Sequence, residues 1–410
     1  MQQSRLAAAT LVLGLTLASA WVLDVYALGQ AGERSEALTP VSDRADIRTF
    51  HHWVPHVSSV PANAGEHVNL YVREQVRSGS EGDQKHKPAD VVLFIHGNSI
   101  PVVPGVAMGI RRYDWMRALA KADFDVFAMD HTGYGFSPRP KMDDPCNVPA
   151  VNFPILIPNP LPAPCNPSYA FRLTNAQSEW DEIDTVVDYL RALRGVERVN
   201  LIGWSQGGWR AASYASLHPG KIDKLMLLAP VYGPNDPDNP PAVLPVPGRP
   251  FSVQTRDTVF GTIWDPGIRC VGQVEDGMKD AVWERIMDFE PVGRTWGPGG
   301  VTREGVIRVR TFNGWGWNAT RAAAFPAIPT LIVRGEFDTV ITNTDQLYSD
   351  LGTPHKIHVE VQCASHALPW ETQAHYVHNL SRHWLRKGSI AGSSQGKFFL
   401  DTEGRLGPGE

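Results

Sequence analysis

Val199-Asn200-Leu201-Ile202-Gly203-Trp204-Ser205-Gln206-Gly207 is the stretch on which the reading of this chain turns. Val199 to Ile202 is an apolar, strand-like run, and a helix-like run from Trp209 to Leu217 comes after it. A G-x-S-x-G pentapeptide between a strand and a helix is the sequence form of a nucleophile elbow. The turn is so tight that side chains at positions 203 and 207 would collide with neighbouring backbone. The serine is forced to the tip, where its hydroxyl faces a cleft. The pentapeptide alone recurs by chance; its flanks and its partners downstream give it weight. Ser205 is the candidate nucleophile.

A serine hydroxyl is a weak nucleophile at neutral pH. It needs a base within hydrogen-bond reach, and the base needs an orienting acid. Working outward from the elbow, a strand-like run at 330 to 333 leads into Arg334-Gly335-Glu336-Phe337-Asp338. Another at 357 to 361 leads into Cys363-Ala364-Ser365-His366. Both loops fall at the sheet edge where Ser205 must lie. Asp338, deeper in its loop than its competitor Glu336, is the candidate acid, and His366 the candidate base. His375, His378 and His383 fall within a helix pattern and read as solvated. His51, His52 and His56 read as part of a surface strand rather than a metal site.

A tetrahedral intermediate needs two backbone N–H donors for its oxyanion. Gln206, next after the nucleophile, supplies one. Asn98 is assigned the other, in His96-Gly97-Asn98-Ser99 after the apolar run 91 to 95. His96 reads as a structural histidine packed under this loop. Asp130-His131-Thr132-Gly133-Tyr134-Gly135-Phe136-Ser137 has two glycines of a phosphate loop but lacks the third and the lysine, so it reads as a tight turn.

From Val91 onward strand and helix patterns alternate, which defines an α/β fold with a mainly parallel sheet. The strands read are 91 to 95, 124 to 129, 199 to 204, 224 to 228, 330 to 333 and 357 to 361. Helices read at 111 to 121, 174 to 193 and 370 to 385, with Thr174 or Asn175 as the N-cap of the second. Asn69 to Glu74 reads as an antiparallel edge strand. Residues 139 to 170, rich in proline, and 231 to 326, which hold five of the 13 tryptophans, break the rhythm. Both read as insertions at the ligand-binding edge of the sheet. The Gly- and Ser-rich tail beyond Lys387 reads as poorly ordered.

The chain has 410 residues, 42% of them hydrophobic, and a net charge of -5, so it has no basic field for nucleic acid. Arg5 followed by the apolar stretch Leu6 to Leu23 reads as a signal peptide, cut after Ala20 or Ala31; an uncleaved anchor is the rival reading. Export would leave the mature chain secreted or periplasmic, without a stable membrane anchor. The four cysteines suit an exported chain with disulfides, and none has C-x-x-C spacing. Cys146 and Cys165 bracket the proline-rich insertion and are expected to pair. That leaves Cys270 and Cys363 as the second pair, with two free thiols as the alternative.

His96-Gly97, Asp130-x-x-Gly133-x-Gly135-x-Ser137, the elbow at 203 to 207, Gly335-x-x-Asp338 and His366 together resemble the α/β-hydrolase superfamily. The resemblance covers about 91 to 230 and 327 to 387. It implies an eight-stranded, mostly parallel sheet with helices on both faces, a cap over the active site, and a Ser205-Asp338-His366 triad. The domain reading is then a leader and N-terminal segment at 1 to 31, a hydrolase core at 32 to 230 and 327 to 387, a cap at 231 to 326, and a flexible tail at 388 to 410. The function expected is hydrolysis of a carboxylic ester or lactone, of apolar or aromatic character, without a metal or organic cofactor. Amide or C–C bond hydrolysis by the same triad is the alternative within the class; a non-catalytic binding protein is the alternative outside it. The sequence names neither the acyl and alcohol parts nor the oligomeric state.

Overall fold

A computed structural model describes residues 47–79, 90–297 and 304–409. The expected signal peptide and its cleavage sites lie outside the described residues. The main sheet is built from β1 (Ile47–Val57), β2 (His67–Arg77), β3 (Val91–Ile95), β4 (Asp125–Met129), β5 (Val199–Trp204), β6 (Ile222–Leu228), β7 (Thr330–Gly335), β8 (Lys356–Val361), β9 (Gly396–Leu400) and β10 (Leu406–Pro408). Their spatial order is β1-β2-β4-β3-β5-β6-β7-β8-β9-β10. From β4 across to β9 every neighbour pair is parallel. The pairs β1–β2, β2–β4 and β9–β10 are antiparallel.

The sheet has ten strands rather than eight. The two additional strands at its far end come from the segment that reads as a flexible tail. β9 pairs with β8 from Ile357 to Val361, and Leu400 is buried. Without β9, β8 would present an unpaired row of backbone donors and acceptors. Satisfying that row outweighs the weak strand propensity of the glycines and serines around it. At the other end, the edge strand is β1, and the run 69 to 74 lies one strand further in.

Among the described residues six α-helices of six or more residues frame the sheet and the cap: α1 (Trp115–Ala120), α2 (Ala176–Arg194), α3 (Gln206–Leu217), α4 (Met278–Asp288), α5 (Thr344–Asp350) and α6 (Ala374–Lys387). α1 and α6 pack Trp115, Met116, Val377 and Trp384 against a layer that includes Val92 and Phe94. α2, α3 and α5 pack Ile183, Val187, Ala211 and Leu347 against a layer that includes Val91, Leu93 and Ile95. Alternate residues of β3 thus serve opposite faces, as the period of two requires, and its continuous apolar run follows from burial on both sides. α2 starts at Asn175, whose side chain accepts from the Ser178 N–H at 3.0 Å while Ser178 Oγ bonds back to the Asn175 N–H at 3.1 Å. It ends at Gly195, with φ at 61°.

The proline-rich insertion and the cap share a third, smaller core. Met142, Leu156 and Leu161 pack with Phe251, Val253, Trp296 and Val306. Phe251–Gln254 and Ile307–Arg310 form an antiparallel pair there. Glu290 clamps the unit: its two oxygens accept from Arg139 at 2.9 and 2.7 Å, and one of them also accepts from Arg308 Nε at 2.5 Å. Trp264, Trp283 and Trp296 are buried in the cap. Trp315 and Trp317 belong to the body instead, where Trp315 meets Trp180 edge-on at 6.3 Å. The body therefore resumes before residue 327.

His378 departs from its sequence reading as solvated. It is buried, and its ring stacks on Trp115 at 5.4 Å. A tryptophan on the neighbouring helix, unseen by local periodicity, decides this. Burial, with the charge of His375 next, pushes the His378 imidazole down to about 3. Its folded-state pKa lies below the unfolded value near 6.5, so the stability it confers is full above about pH 6.5 and is lost as the pH falls toward the folded value. His378→Phe should remove this liability. In urea unfolding at pH 7.5, 6 and 5, the variant should gain on wild type by up to about 1.4 kcal/mol per pH unit below 6.5. A difference that does not change with pH would refute the assignment.

Candidate active site

The loops after β3, β5, β7 and β8 meet at the C-terminal ends of the parallel strands. Ser205 stands between β5 and α3 with φ 56° and ψ -122°, a conformation that L-residues rarely hold. Its N–H donates to Leu228 O at 2.9 Å, and its carbonyl accepts from the Gly208 and Val231 N–H groups at 2.9 and 3.0 Å. A Cβ at position 203 would come within 2.3 Å of Gly207 O, and one at position 207 within 2.2 Å of Ile95 O. Glycine at both positions is thus a steric requirement of the turn.

His366 Nε2 lies 3.0 Å from Ser205 Oγ, and His366 Nδ1 lies 3.0 Å from Asp338 Oδ2. Asp338 is 5% exposed and His366 3%, whereas Ser205 is half-buried and opens to the cleft. The second oxygen of Asp338 accepts the N–H groups of Val340 and Ile341 at 2.9 and 2.8 Å. Those bonds hold the carboxylate with one oxygen aimed at the imidazole. Glu336, the competing acid, accepts the Cys363 N–H at 3.0 Å and braces the base loop from below. The structure thus brings Ser205, His366 and Asp338 into one hydrogen-bonded chain and leaves Glu336 out of it.

Asn98 and Gln206 both line the cavity beside Ser205. Gln206 opens α3, so its N–H has no acceptor within the helix and points outward from the first turn. The Asn98 side chain accepts from the buried Tyr134 hydroxyl at 2.8 Å, and that hydroxyl accepts the Ser99 N–H at 3.2 Å. Ser99 has φ 71°, so the bond holds a strained backbone in place.

Beneath Asn98 and Gln206 lies a buried ionic network that local sequence pattern does not signal. Arg210 donates to His96 O at 2.6 Å, Gly97 O at 3.2 Å and Gln206 Oε1 at 2.7 Å. Its Nε bonds Glu179, which also pairs with Arg310. Burial works against the Glu179 charge, but Arg210 and Arg310 prevail and hold its carboxyl at about 2. His96 donates through Nδ1 to Gly97 O at 2.6 Å and accepts the His131 N–H at 3.2 Å. Burial, then Arg210, keeps the His96 ring far below the usual histidine range, so it serves as a neutral strut.

The cavity has a volume of about 270 Å³. Its walls are Ile100, Val231, Val259, Ile263 and Val340, with Trp204 and Trp370 set edge-to-face at 5.2 Å. The aromatic surface facing the cavity is therefore that of Trp204 and Trp370, one in the elbow and one after the base loop. Trp264 and Trp283 share the core layer of Trp204 and Trp370, with Trp264 meeting Trp370 at 5.2 Å, and Trp296 lies in the smaller core. A broader cleft of about 540 Å³ lies at the other ends of the strands, beside Arg198, Lys224, His355 and Lys387, away from Ser205. Among the described residues no group of three or more His, Cys, Asp or Glu side chains is arranged to hold a metal ion.

Fold and constellation together define the class. Residues 90–261 match the family described as the α/β-hydrolase fold, and the chain has that fold. A stretch of 57 residues is 44% identical to the poly(3-hydroxyalkanoate) polymerase subunit PhaC of Allochromatium vinosum, covering 14% of this chain and 16% of that protein. The chain thus aligns with about a sixth of that relative's length. Among solved structures, carboxylesterase CesB of Bacillus subtilis is similar over 84% of this chain and 93% of its own, at 12% identity and a TM-score of 0.49. A thermophilic esterase of Thermogutta terrifontis is similar over 82% and 98%, at 16% identity and a TM-score of 0.46.

Both cysteine pairs are disulfides: Cys146–Cys165 and Cys270–Cys363. The second joins positions 93 residues apart and ties the cap to the loop that carries His366. Closing a loop of that length stabilises on the order of 4 kcal/mol on the chain-entropy model. The double variant Cys270→Ser/Cys363→Ser should melt lower and, in its folded fraction, lose about tenfold in kcat as the base loop loosens. Full kcat in a folded, less stable double variant would show that the bond serves stability alone.

Proposed function

We propose that this protein is an exported serine hydrolase that cleaves an uncharged, apolar carboxylic ester or lactone through an acyl-enzyme on Ser205. The observation that carries the reading is the unbroken Ser205–His366–Asp338 chain, with both links at 3.0 Å, opening into an apolar cavity. Ser205 Oγ attacks the carbonyl carbon while His366 Nε2 takes its proton. Asp338 keeps Nδ1 protonated and stabilises the imidazolium that forms. Negative charge on the carbonyl oxygen is met by the N–H groups of Gln206 and Asn98. His366 then protonates the leaving alkoxide, and a water activated by the same nitrogen releases the acid. Every group used belongs to the chain. The two disulfides support an oxidising compartment, in keeping with export. Among the described residues no helix is long and apolar enough to cross a membrane.

The cavity wall carries no lysine, arginine, aspartate or glutamate. A charged acyl group would lose hydration there without a partner. In a series of p-nitrophenyl esters, kcat/KM should rise with acyl length by up to about fourfold per methylene, the equivalent of about 0.8 kcal/mol, until the cavity is filled. Esters with a terminal carboxylate should be poorer by at least about tenfold. Ser205→Ala should lower kcat by roughly four to six powers of ten, and a fluorophosphonate should label Ser205 alone. A folded Ser205→Ala variant with a tenth of wild-type turnover would sink the mechanism.

A further inference from the structure

Glu371 is fully buried and hydrogen-bonds no member of the triad, yet four donors converge on it. Its Oε2 accepts the Ser365 N–H at 2.7 Å. Its Oε1 accepts the Ser365 hydroxyl at 2.5 Å, Trp264 Nε1–H at 3.0 Å and Gln273 Nε2–H at 3.2 Å. Ser365 Oγ accepts in turn from the Ala367 N–H at 3.1 Å. The backbone N–H groups on either side of His366 therefore both end at Glu371, one directly and one through Ser365.

The other two donors come from the cap. Trp264 and Gln273 flank a segment that lies against the base loop: a Cβ at Gly267 would sit 2.3 Å from Ser365 Cβ. Gln273 also holds that segment's shape, accepting from the Arg269 and Cys270 N–H groups at 2.9 and 3.1 Å and donating to Gly267 O at 2.8 Å. Among the described residues Glu371 makes no ion pair; burial pushes its carboxyl up to about 7, and its oxygens are met by hydrogen-bond donors alone. Such a site suits a carboxylate in particular. An amide would turn one of its own N–H groups toward a donor and leave both unsatisfied.

We propose that Glu371 is a positioning residue for the acyl transfer assigned to Ser205: it fixes the backbone on both sides of His366 and fastens that loop to the cap. The imidazole meets Ser205 and Asp338 in line only while this carboxylate holds both partners. The inference rests on the serine-hydrolase reading, and the two fail in different ways.

The test uses Glu371→Gln, Glu371→Asp and Ser365→Ala in the full chain, with kcat and KM measured separately on a p-nitrophenyl ester. Glu371→Gln should lose about 30- to 100-fold in kcat with KM within about threefold, the scale of an ångström-level misplacement of a catalytic group. Glu371→Asp, which keeps every acceptor, should recover at least about tenfold of that loss. Ser365→Ala, which cuts only the branch to Ala367, should fall between wild type and Glu371→Gln. A folded Glu371→Gln variant within about threefold of wild-type kcat would overturn the proposal, as would an aspartate variant no better than glutamine. Should Glu371→Gln fail to fold, Ser365→Ala decides: a kcat loss under about threefold overturns the proposal, and a larger loss at constant KM supports it. Failure of the triad reading would show separately, as turnover that survives in Ser205→Ala.

Discussion

The rest of the site depends on one steric constraint, the absence of side chains at positions 203 and 207. Without that space the chain could not pass from β5 into α3 with Ser205 at φ 56°. The constraint reaches beyond the elbow, because the atoms that crowd position 207 are the carbonyls of Ile95 and His96. These belong to the loop that carries Asn98. A close approach at Gly207 is thus what draws that loop against the first turn of α3. The two proposed oxyanion donors come from neighbouring strands that touch through a glycine. Their spacing is set by backbone packing, which is stiffer than any side chain.

Close packing alone leaves carbonyls pointing into a dry interior, and Arg210 answers that demand. It sits one turn after Gln206 on α3 and bonds the carbonyls of His96 and Gly97 together with the Gln206 amide. A buried guanidinium is costly unless paired, and Glu179 from α2 pairs it. Arg310, from the cap end of the chain, completes the charge balance on Glu179. One ionic chain therefore connects the helix behind the sheet, the elbow, the oxyanion loop and the strand that leads out of the cap. Removing Glu179 would leave two buried guanidinium groups without their shared carboxylate, and breaking a buried pair in this way costs about 3–5 kcal/mol.

What could be read from sequence follows a physical division. The elbow, the parallel strands and the loops bearing Asp338 and His366 were legible because each is specified by its own few residues: glycine spacing, continuous apolar runs, a polar residue just past a strand. The N-cap of α2 was legible to within one residue for the same reason. Features made by distant parts of the chain were not. β9 is strand because β8 offers it an edge. His378 is buried because Trp115 covers it. Trp204 and Trp370, rather than the tryptophans of 231 to 326, face the cavity, because the latter are packed into three different core layers by residues distant in the chain. Arg210 and Glu371 carry no local mark at all; only their convergent partners reveal them. The proline-rich insertion likewise shares its core with Phe251, Val253, Trp296 and Val306, about a hundred or more residues further along the chain.

The two loops that serve the imidazole are held in opposite ways. Asp338 is fixed from within its own turn, by the N–H groups of Val340 and Ile341, two and three residues on. That arrangement needs nothing from the cap. The His366 loop has no comparable local support. Its first residue, Cys363, takes φ 51° and leans on Glu336, and its next donors run to Glu371. From the elbow, Trp204 Nε1–H donates to His366 O at 3.1 Å, beside the Ser205–His366 link. The cap adds the Cys270–Cys363 disulfide and, through Glu371, the hydrogen bonds of Trp264 and Gln273, while the Phe337 N–H donates to Ala364 O at 2.8 Å. A cap that only covered the cavity would need none of these ties. Their concentration on the loop that carries His366 supports the positioning role proposed for Glu371, and the cap also reaches the loop of Asp338, where Arg269 lies over the Phe337 ring at 5.4 Å.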